Sequence, residues 1–479
     1  MCAELFFKGW RSSSTNPQSN TPLKKASLAI GASLCAALML SSAPSGSGQI
    51  LNTQQISQLS LGNDSSTHDL WAENNFIYVA RGQYGLDIID ATNQQAPTVV
   101  HTIRPFQGVA NIDIEDVHVH NGIAYFTNHV PNGSPTPHVG LFIYDVSIPT
   151  APVELGRLEW GAGPWYHLGG NCHGVYIHDD GTNVFAYLAS RTTSAVEVFD
   201  VSVPSSPVWL STIYPPLTQY GTIPGMAHEI TVRGNLCFTT WLDAGFAIHD
   251  ISNPVAPQLV SHTPYSGAYT YHAWPTDDGT HLLTTDAWGN IGLQIWDITT
   301  PSAPSLKGTW NSGSGSIMHN VFVKGNKAYL SHFEDGLHII DISDLSNPVQ
   351  TGWFDTDLGA NGFNTNGTYG VYPFETNIYL SHREDGLYII GEANVPAGPD
   401  TVDIVSANWY RNQGKTLEII ATSSHSPAAV LTVDGFGTMT YRPGNDDYIL
   451  SVYSRKKPRT ITVESNLDGS DSSRVRAIR

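Results

Sequence analysis

The sequence predicts an all-β protein: a seven-bladed β-propeller closed by an N-terminal strand and followed by a small C-terminal β-sandwich. Three observations support this prediction. A strand-like hexapeptide recurs seven times, the unit around each copy contains further short strands and turns, and one extra strand precedes the first unit. Repeats of about 40 to 50 residues with this composition are typical of propeller blades.

Successive copies of the hexapeptide begin 44 to 55 residues apart. In one unit, "HNVFVKGNKAYLSH" predicts two strands joined by a turn, "GLHIIDIS" predicts a third strand, and "PVQTGWF" predicts a fourth. The copies are GLDIID (85–90), GLFIYD (140–145), AVEVFD (195–200), GFAIHD (245–250), GLQIWD (292–297), GLHIID (336–341) and GLYIIG (386–391).

A recurring turn, D-[IV]-[ST]-x-P-x-x-P, joins the third and fourth strands of several units. Its first residue is Asp145, Asp250, Asp297 or Asp341. An aspartate in such a turn accepts hydrogen bonds from backbone amides two residues further on, and proline stiffens the chain. Turn chemistry therefore explains these aspartates, and we interpret the repeated segment as scaffold.

The ends of the repeat predict how the ring closes. The seventh unit has no fourth strand after it, while "QQISQLSLGND" (54–64) is a strand without a unit of its own. Completing the last blade with the first strand removes exposed sheet edges. Counted in this way, seven fourth strands serve seven blades.

The units GLHIIDISDLSNPV (336–349) and GLQIWDITTPSAPS (292–305) closely resemble the LVIVD repeat family. The resemblance covers about residues 54 to 395, with departures at Ala195 in the third unit and in the seventh unit. It implies an exported or surface-attached bacterial or archaeal β-propeller, and it implies no particular reaction.

The segments on either side of the repeat differ from it. Residues 1–47 are predicted to be a signal peptide and flexible leader, because Lys24 and Lys25 precede an apolar run (26–40) and a stretch of small residues. Residues 48–396 form the propeller in this division, and 400–479 are alternating strands that resemble an immunoglobulin-like β-sandwich. The protein is therefore expected outside the cytoplasm, as an extracellular, cell-surface or periplasmic protein.

Charge and motifs exclude several function classes. The formal net charge is −19, which disfavours nucleic acid as a partner. The mature chain contains no apolar run long enough for a membrane span, and no phosphate loop, dinucleotide fingerprint or serine-nucleophile motif occurs. An extracellular protein or a polysaccharide is the partner that remains open.

Polar residues open the first strand of almost every unit, where a propeller's inner strands line its central channel. We expect these side chains to ring one end of the channel, and a second polar layer to follow at the ends of the second strands. The first set is His68, Glu115, His173, His228, His272 and His319, with Gly370 in the seventh unit. The second set is Arg81, His129, Arg191, Asp243, Asp286, His332 and His382.

Two interpretations of these sets stay open. The histidines fill a polar channel and bond to carbonyls and water, or neutral imidazoles from several blades bind a transition metal with Glu115 or a neighbouring acid as ligand or base. Calcium is a separate hypothesis for Asp355, Asp357 and Asn361 in a long loop. An ordinary loop is favoured there, because Asn366 stands where a calcium loop has a bidentate glutamate.

The sequence thus predicts an exported binding or scaffold protein with its ligand contact at the histidine-bearing channel end. A metal-dependent enzyme, such as an oxidoreductase using the same histidines, is one alternative. An adhesion protein that binds through its C-terminal module is another. Whether the chain is an enzyme, and which cofactor it holds, is left open by the sequence.

Overall fold

The computed structural model describes residues 50–62, 67–105, 113–129, 139–159, 172–191, 193–217, 226–287, 291–357, 365–392, 401–412, 414–424, 431–442, 447–465 and 469–478. The predicted signal segment (1–47) and Asn361 lie outside these ranges. Within them, no helix combines the length and the apolarity that crossing a membrane requires.

The described part of the propeller consists of seven antiparallel blades of four or five strands, and in the first five blades the four strands follow one another in chain order. Two strands precede the first blade, β1 (Ile50–Leu51) and β2 (Thr53–Leu59). Blade one contains β3 (Leu70–Glu73), β4 (Phe76–Ala80), β5 (Leu86–Asp90) and β6 (Thr98–Ile103). Blade two contains β7 (Asp113–His120), β8 (Ile123–His129), β9 (Val139–Asp145) and β10 (Val153–Glu159). Blade three contains β11 (Cys172–Asp179), β12 (Val184–Ser190), β13 (Ala195–Asp200) and β14 (Val208–Ile213).

The other four blades follow the same order. Blade four contains β15 (Ile230–Arg233), β16 (Leu236–Thr240), β17 (Phe246–Asp250) and β18 (Gln258–Thr263). Blade five contains β19 (Thr270–Pro275), β20 (His281–Asp286), β21 (Gly292–Asp297) and β22 (Ser305–Trp310). Blade six contains β23 (Val321–Lys324), β24 (Lys327–Ser331), β25 (Leu337–Asp341) and β26 (Val349–Phe354). Blade seven contains β27 (Thr368–Phe374), β28 (Asn377–His382) and β29 (Gly386–Glu392), and β2 is its fourth strand.

Ring closure follows the prediction from the sequence. Strand β2 pairs antiparallel with β29, with Leu59 opposite Leu387. The short β1 additionally pairs with β26 and extends blade six to five strands. The N-terminal segment thus joins blades six and seven and covers sheet edges that would otherwise be open.

The first strands of the blades form the inner ring. Each contacts the first strand of the next blade around a complete circle, from β3 through β7, β11, β15, β19 and β23 to β27 and back to β3. We call the space that these seven strands enclose the channel. The cores between blades are apolar, as in the cluster that joins Tyr78 and Leu86 of blade one to Phe126 and Phe142 of blade two.

The repeated turn has the structure that its sequence predicts. The carboxylate of Asp145 accepts a hydrogen bond from the amide of Ser147 (2.9 Å), and Asp341 accepts one from the amide of Ser343 (2.7 Å). Asp250 and Asp297 make the same contact, and all four side chains lie at the surface. These aspartates are structural.

The glycine of the hexapeptide is required by backbone geometry. Gly336 has φ of +76°, and a Cβ there would overlap the carbonyl oxygen of Phe354. Blade three carries Ala195 at this place, and the positive φ moves one residue earlier, to Ser194 (φ +53°). The departure from the repeat is therefore absorbed by a shift of the turn.

The C-terminal strands form two further sheets. One has the order β34 (Thr440–Arg442), β35 (Asp447–Tyr453), β31 (Thr416–Ser423), β30 (Val402–Tyr410) and β38 (Arg476–Ile478). The other has the order β33 (Gly437–Thr438), β32 (Leu431–Val433), β36 (Thr460–Ser465) and β37 (Ser470–Arg474). Leu417 and Tyr448 of the first sheet share one apolar core with Val433 and Val463 of the second.

Candidate metal centre at the channel end

Strand register defines which residues are equivalent at the channel end. The side-chain hydroxyl of Thr240 donates to the carbonyl of Tyr271 (2.8 Å), and that of Ser331 donates to the carbonyl of Tyr369 (2.7 Å). In the same way Thr285 donates to the carbonyl of His319. The equivalent residues, which we call the end ring, are His68, Glu115, His173, His228, Tyr271, His319 and Tyr369.

The sequence alignment placed His272 and Gly370 in this ring, and the register places them one residue further along. His272 lies opposite Thr285 and Gly370 opposite Ser381, the places that Asn320 has opposite Ser331. The difference arises because the alignment followed the polar residue of blade five, whereas pairing puts the aromatic residue before it at the equivalent place.

Three side chains of blades three and four come together at the end ring. Nδ1 of His173 lies 3.1 Å from Oε1 of Glu229, and Nδ1 of His228 lies 3.9 Å from the same oxygen. The two imidazole rings have centroids 4.2 Å apart. One ligand atom from each residue lies within 4.8 Å of the other two. We call His173, His228 and Glu229 the channel group.

Burial controls the charge of the channel group. It lowers the pKa of His173 and of His228 well below the usual value, and neighbouring histidines and Arg191 lower both further. It raises the pKa of Glu229, and the nearby carboxyls of Asp116 and Asp69 raise it further. At neutral pH the imidazoles are therefore uncharged, and their nitrogen lone pairs are available to a metal.

A second acidic group adjoins the channel group. Oε2 of Glu115 lies 2.9 Å from Nη2 of Arg191 and 3.8 Å from Nε2 of His173, while Oε1 lies 3.2 Å from Nδ1 of His129. Burial opposes ionisation of Glu115, but Arg191 and His129 outweigh it and lower the pKa. Asp113, Glu115 and His129 also place ligand atoms within 4.8 Å of one another.

More carboxyl groups follow one residue further along the inner strands. Oδ2 of Asp69 accepts a hydrogen bond from Nδ2 of Asn320 (2.7 Å), and Oδ2 of Asp116 accepts one from the amide of Val175 (2.6 Å). Burial raises the pKa of Asp69 to about 6 and that of Asp116 well above its usual value. Several buried acids thus share this end of the channel, an arrangement that favours a cation.

Aromatic side chains occupy the channel beyond these acids. The rings of Trp71 and His118 stack with centroids 3.9 Å apart, and Trp71 also contacts Tyr372 (4.4 Å). Trp274 and Phe322 lie 4.4 Å apart in the same layer. An aromatic layer thus adjoins the polar groups of this channel end.

The other predicted ring histidines have different partners. Nε2 of His68 lies 3.3 Å from Oδ1 of Asp113. Nδ1 of His319 lies 3.0 Å from the carbonyl of Tyr369, and Nδ1 of His272 accepts a hydrogen bond from the amide of Val321 (3.2 Å). The contacts of His319 and His272 are those of the structural interpretation, in which histidines satisfy buried backbone groups. His68 faces a carboxylate instead.

The predicted second layer divides in the same manner. His129 and Arg191 contact Glu115 of the end ring. The others have partners within their own blades: Arg81 with Asp87, Asp286 with Tyr265, His332 with Asp335, and His382 with Asp385. Asp243 is exposed, and partial desolvation of its carboxyl raises its pKa.

The calcium hypothesis is tested only in part. Oδ1 of Asp355 accepts a hydrogen bond from the amide of Asp357 (2.9 Å), which is a turn contact. Asn361 lies outside the described residues, and calcium binding here stays a prediction.

Sequence reasoning missed the acids that complete the channel group. Glu229 directly follows His228, at a place where blades one and two have aspartate and the other blades have glycine, histidine or asparagine. Its side chain extends across Gly174 of blade three, where a Cβ would overlap Oε2. The pair of Gly174 and Glu229 at equivalent places in adjacent blades is the only signal, and it can be interpreted only once the register is known.

Family comparison supports the architecture. Residues 64–104, 224–263, 287–312 and 315–356 match the sequence profile described as LVIVD repeat. These four segments are similar to the LVIVD repeat. Of the channel group, His228 and Glu229 lie within a matched LVIVD segment and His173 does not. No curated protein matches the sequence.

Two solved structures are similar to this chain. A computationally designed protein, Ika8, shares 9% identity at a TM-score of 0.46, covering 71% of this chain and 99% of its own. Virginiamycin B lyase from Staphylococcus aureus shares 12% identity at a TM-score of 0.49, covering 71% of this chain and 98% of its own.

Proposed function

We propose that this chain is an exported binding protein whose LVIVD propeller holds a transition-metal ion through His173, His228 and Glu229. The single observation that supports the proposal is the convergence of these three buried side chains from two adjacent blades. Two neutral imidazoles and one carboxylate suit zinc, iron, copper or nickel. An extracellular protein or a polysaccharide is the partner expected at this end of the propeller.

The contacts of the channel group favour a cation over simple channel filling. Nδ1 of His173 and Nδ1 of His228 are buried and make no aligned hydrogen bond. A buried polar atom without a partner is costly, and a metal would satisfy both nitrogens and the facing carboxylate oxygen. The surrounding carboxyls of Asp69, Asp116 and Glu115 add to the attraction for positive charge.

Metal content of the purified full chain, produced without a histidine tag, tests the proposal. Mass spectrometry is expected to find bound zinc, iron or copper that is lost from His173→Ala and from His228→Ala. The matched control is His68→Gln, which alters an equally buried ring histidine that faces Asp113 instead. Equal metal content in all four proteins would contradict the proposal.

Export is tested separately. The chain expressed from its own start in a bacterial host is expected in the periplasm or medium, with a new N-terminus after the apolar run (26–40). Full-length protein that stays in the cytoplasm would contradict an exported role and leave the metal test unaffected.

A further inference from the structure

Blade six contains a second buried cluster of two histidines and a carboxylate. His332 follows β24, Asp335 lies in the next turn, and His338 is the second residue of β25. The three residues are 3%, 2% and 1% exposed. His338 is the variable residue of the repeated hexapeptide, so the repeat itself does not explain the cluster.

The carboxylate oxygen faces two ring nitrogens at the same distance. Oδ2 of Asp335 lies 3.1 Å from Nδ1 of His332 and 3.1 Å from Nε2 of His338. Neither contact has the alignment of a hydrogen bond, and all three atoms are buried without a hydrogen-bond partner. Buried polar atoms in native proteins normally have partners.

The other nitrogen of His332 fixes its orientation. Nε2 lies 3.1 Å from the carbonyl oxygen of Ser316, which can only accept, so Nε2 carries a proton. In the neutral ring, Nδ1 then directs a lone pair at the oxygen of Asp335. Two facing lone pairs repel unless a cation lies between them. Metal-binding histidines commonly donate the opposite N–H to a backbone carbonyl in this way.

We propose that blade six binds a Zn²⁺ ion through Nδ1 of His332, Oδ2 of Asp335 and Nε2 of His338. Ligand atoms that surround a tetrahedral zinc at about 2.0–2.1 Å lie roughly 3.3 Å apart, close to the two observed separations. Trp353 stacks on His338 with ring centroids 5.2 Å apart, and Trp310 lies at 5.2 Å. The ion therefore has a structural role and ties the turn between β24 and β25 to both strands.

Blade seven provides a natural control. Its segment HREDGLY (382–388) differs from HFEDGLH (332–338) at the second and the last residue, and only the last belongs to the cluster. The hydroxyl of Tyr388 donates to Oδ2 of Asp385 at 3.0 Å, and the Asp385 side chain is 44% exposed. Tyrosine in place of the second histidine thus satisfies the carboxylate with a hydrogen bond.

The experiment starts from the full chain with His228→Ala, so that the channel group cannot contribute. After zinc loading and dialysis, this protein is expected to hold one zinc per chain, and adding His338→Tyr is expected to remove it. The control is His262→Tyr in the same background, which changes a partly buried histidine bonded to the carbonyl of Ala244. Cobalt loading is expected to give the intense visible absorption of a tetrahedral site in the first and third proteins.

A second measurement covers the case in which His338→Tyr folds poorly. His338→Asn keeps a small polar side chain and is made in the His228→Ala background. Zinc is expected to raise the melting temperature of the His228→Ala protein and not that of the double variant. A zinc-free His228→Ala protein, or zinc retained after loss of His338, would overturn the proposal. If only the channel proposal fails, the original chain will bind one zinc, and His228→Ala will not change that zinc content.

Discussion

The channel group and the blade-six cluster contain the same kinds of side chain in different electrostatic surroundings. Glu229 lies among other buried carboxyls, and burial together with Asp116 and Asp69 raises its pKa. Burial opposes the ionisation of Asp335 as well, but His332 and His338 outweigh it and lower the pKa. Both acids are buried, so neighbouring charge and not burial alone decides the direction in which each pKa is shifted.

The largest effect is expected from removing the ionised acid. Asp335→Ala leaves the two facing ring nitrogens buried without a partner, and an unsatisfied buried polar group costs about 1–3 kcal/mol for each in the free energy of unfolding. Chemical denaturation of chelator-treated protein measures this, with Asp385→Ala of blade seven as the control. A total loss below about 1 kcal/mol would show that Asp335 does not stabilise its two histidines.

An acid with neutral partners extends the comparison to blade five. Asp286 accepts hydrogen bonds from the hydroxyl of Tyr265 (2.7 Å) and the amide of Tyr269 (2.7 Å). Burial nevertheless raises its pKa from 3.8 to about 6. The folded state therefore holds the proton more tightly than the unfolded state, so this group's contribution is fully present below pH 4 and is lost as pH rises to about 6.

The expected size of that loss is about 3 kcal/mol, since each unit of pKa corresponds to about 1.4 kcal/mol. In Asp286→Asn this part of the pH dependence disappears. As the pH is raised from 4 to 7, the unfolding free energy of the variant should therefore rise relative to that of the original chain. A difference that does not change with pH would contradict the raised pKa.

At the channel end a conservative change should cost little. Glu229→Gln replaces a carboxyl whose pKa is raised by an amide of the same shape, and we expect a loss of about 1 kcal/mol, the size of one hydrogen bond. Thermal unfolding of the chelated protein measures it beside Asp335→Asn, which removes a full charge. If Glu229→Gln proves the more damaging of the two, the contrast between the sites is wrong.

Much of the fold was predictable because the same strand and turn pattern occurs seven times in the sequence. The hexapeptide locates the third strands, the turn aspartates locate the connections, and the orphan strand at 54–64 predicts closure on β29. The end ring was predictable only to within one residue. Local pairing, and not residue type, makes Tyr271 the equivalent of His319, and a single sequence does not record that pairing.

The partners of the site residues were less predictable. Glu229 reaches His173 by crossing Gly174, and Asp69 reaches Asn320 by crossing Gly370, where a Cβ would contact Oδ1 at 2.5 Å. The first contact joins the neighbouring blades four and three, and the second joins blades one and six, which are far apart in the sequence. His338 was missed for another reason, because it lies inside the repeated strand that was interpreted as scaffold.

The smallest effect is expected in the repeated turn. Asp341 is partly exposed and caps the amide of Ser343, and this hydrogen bond lowers its pKa. Asp341→Ala should cost about 0.5 kcal/mol, the low end for a hydrogen bond that water can replace. Asp341→Asn keeps an acceptor and should behave like the original chain in the same denaturation experiment. The difference between Asp341 and Asp335, a few residues away, would then come from the burial of the carboxylate. A large loss of stability in Asp341→Ala would contradict the interpretation of Asp341 as a turn residue only.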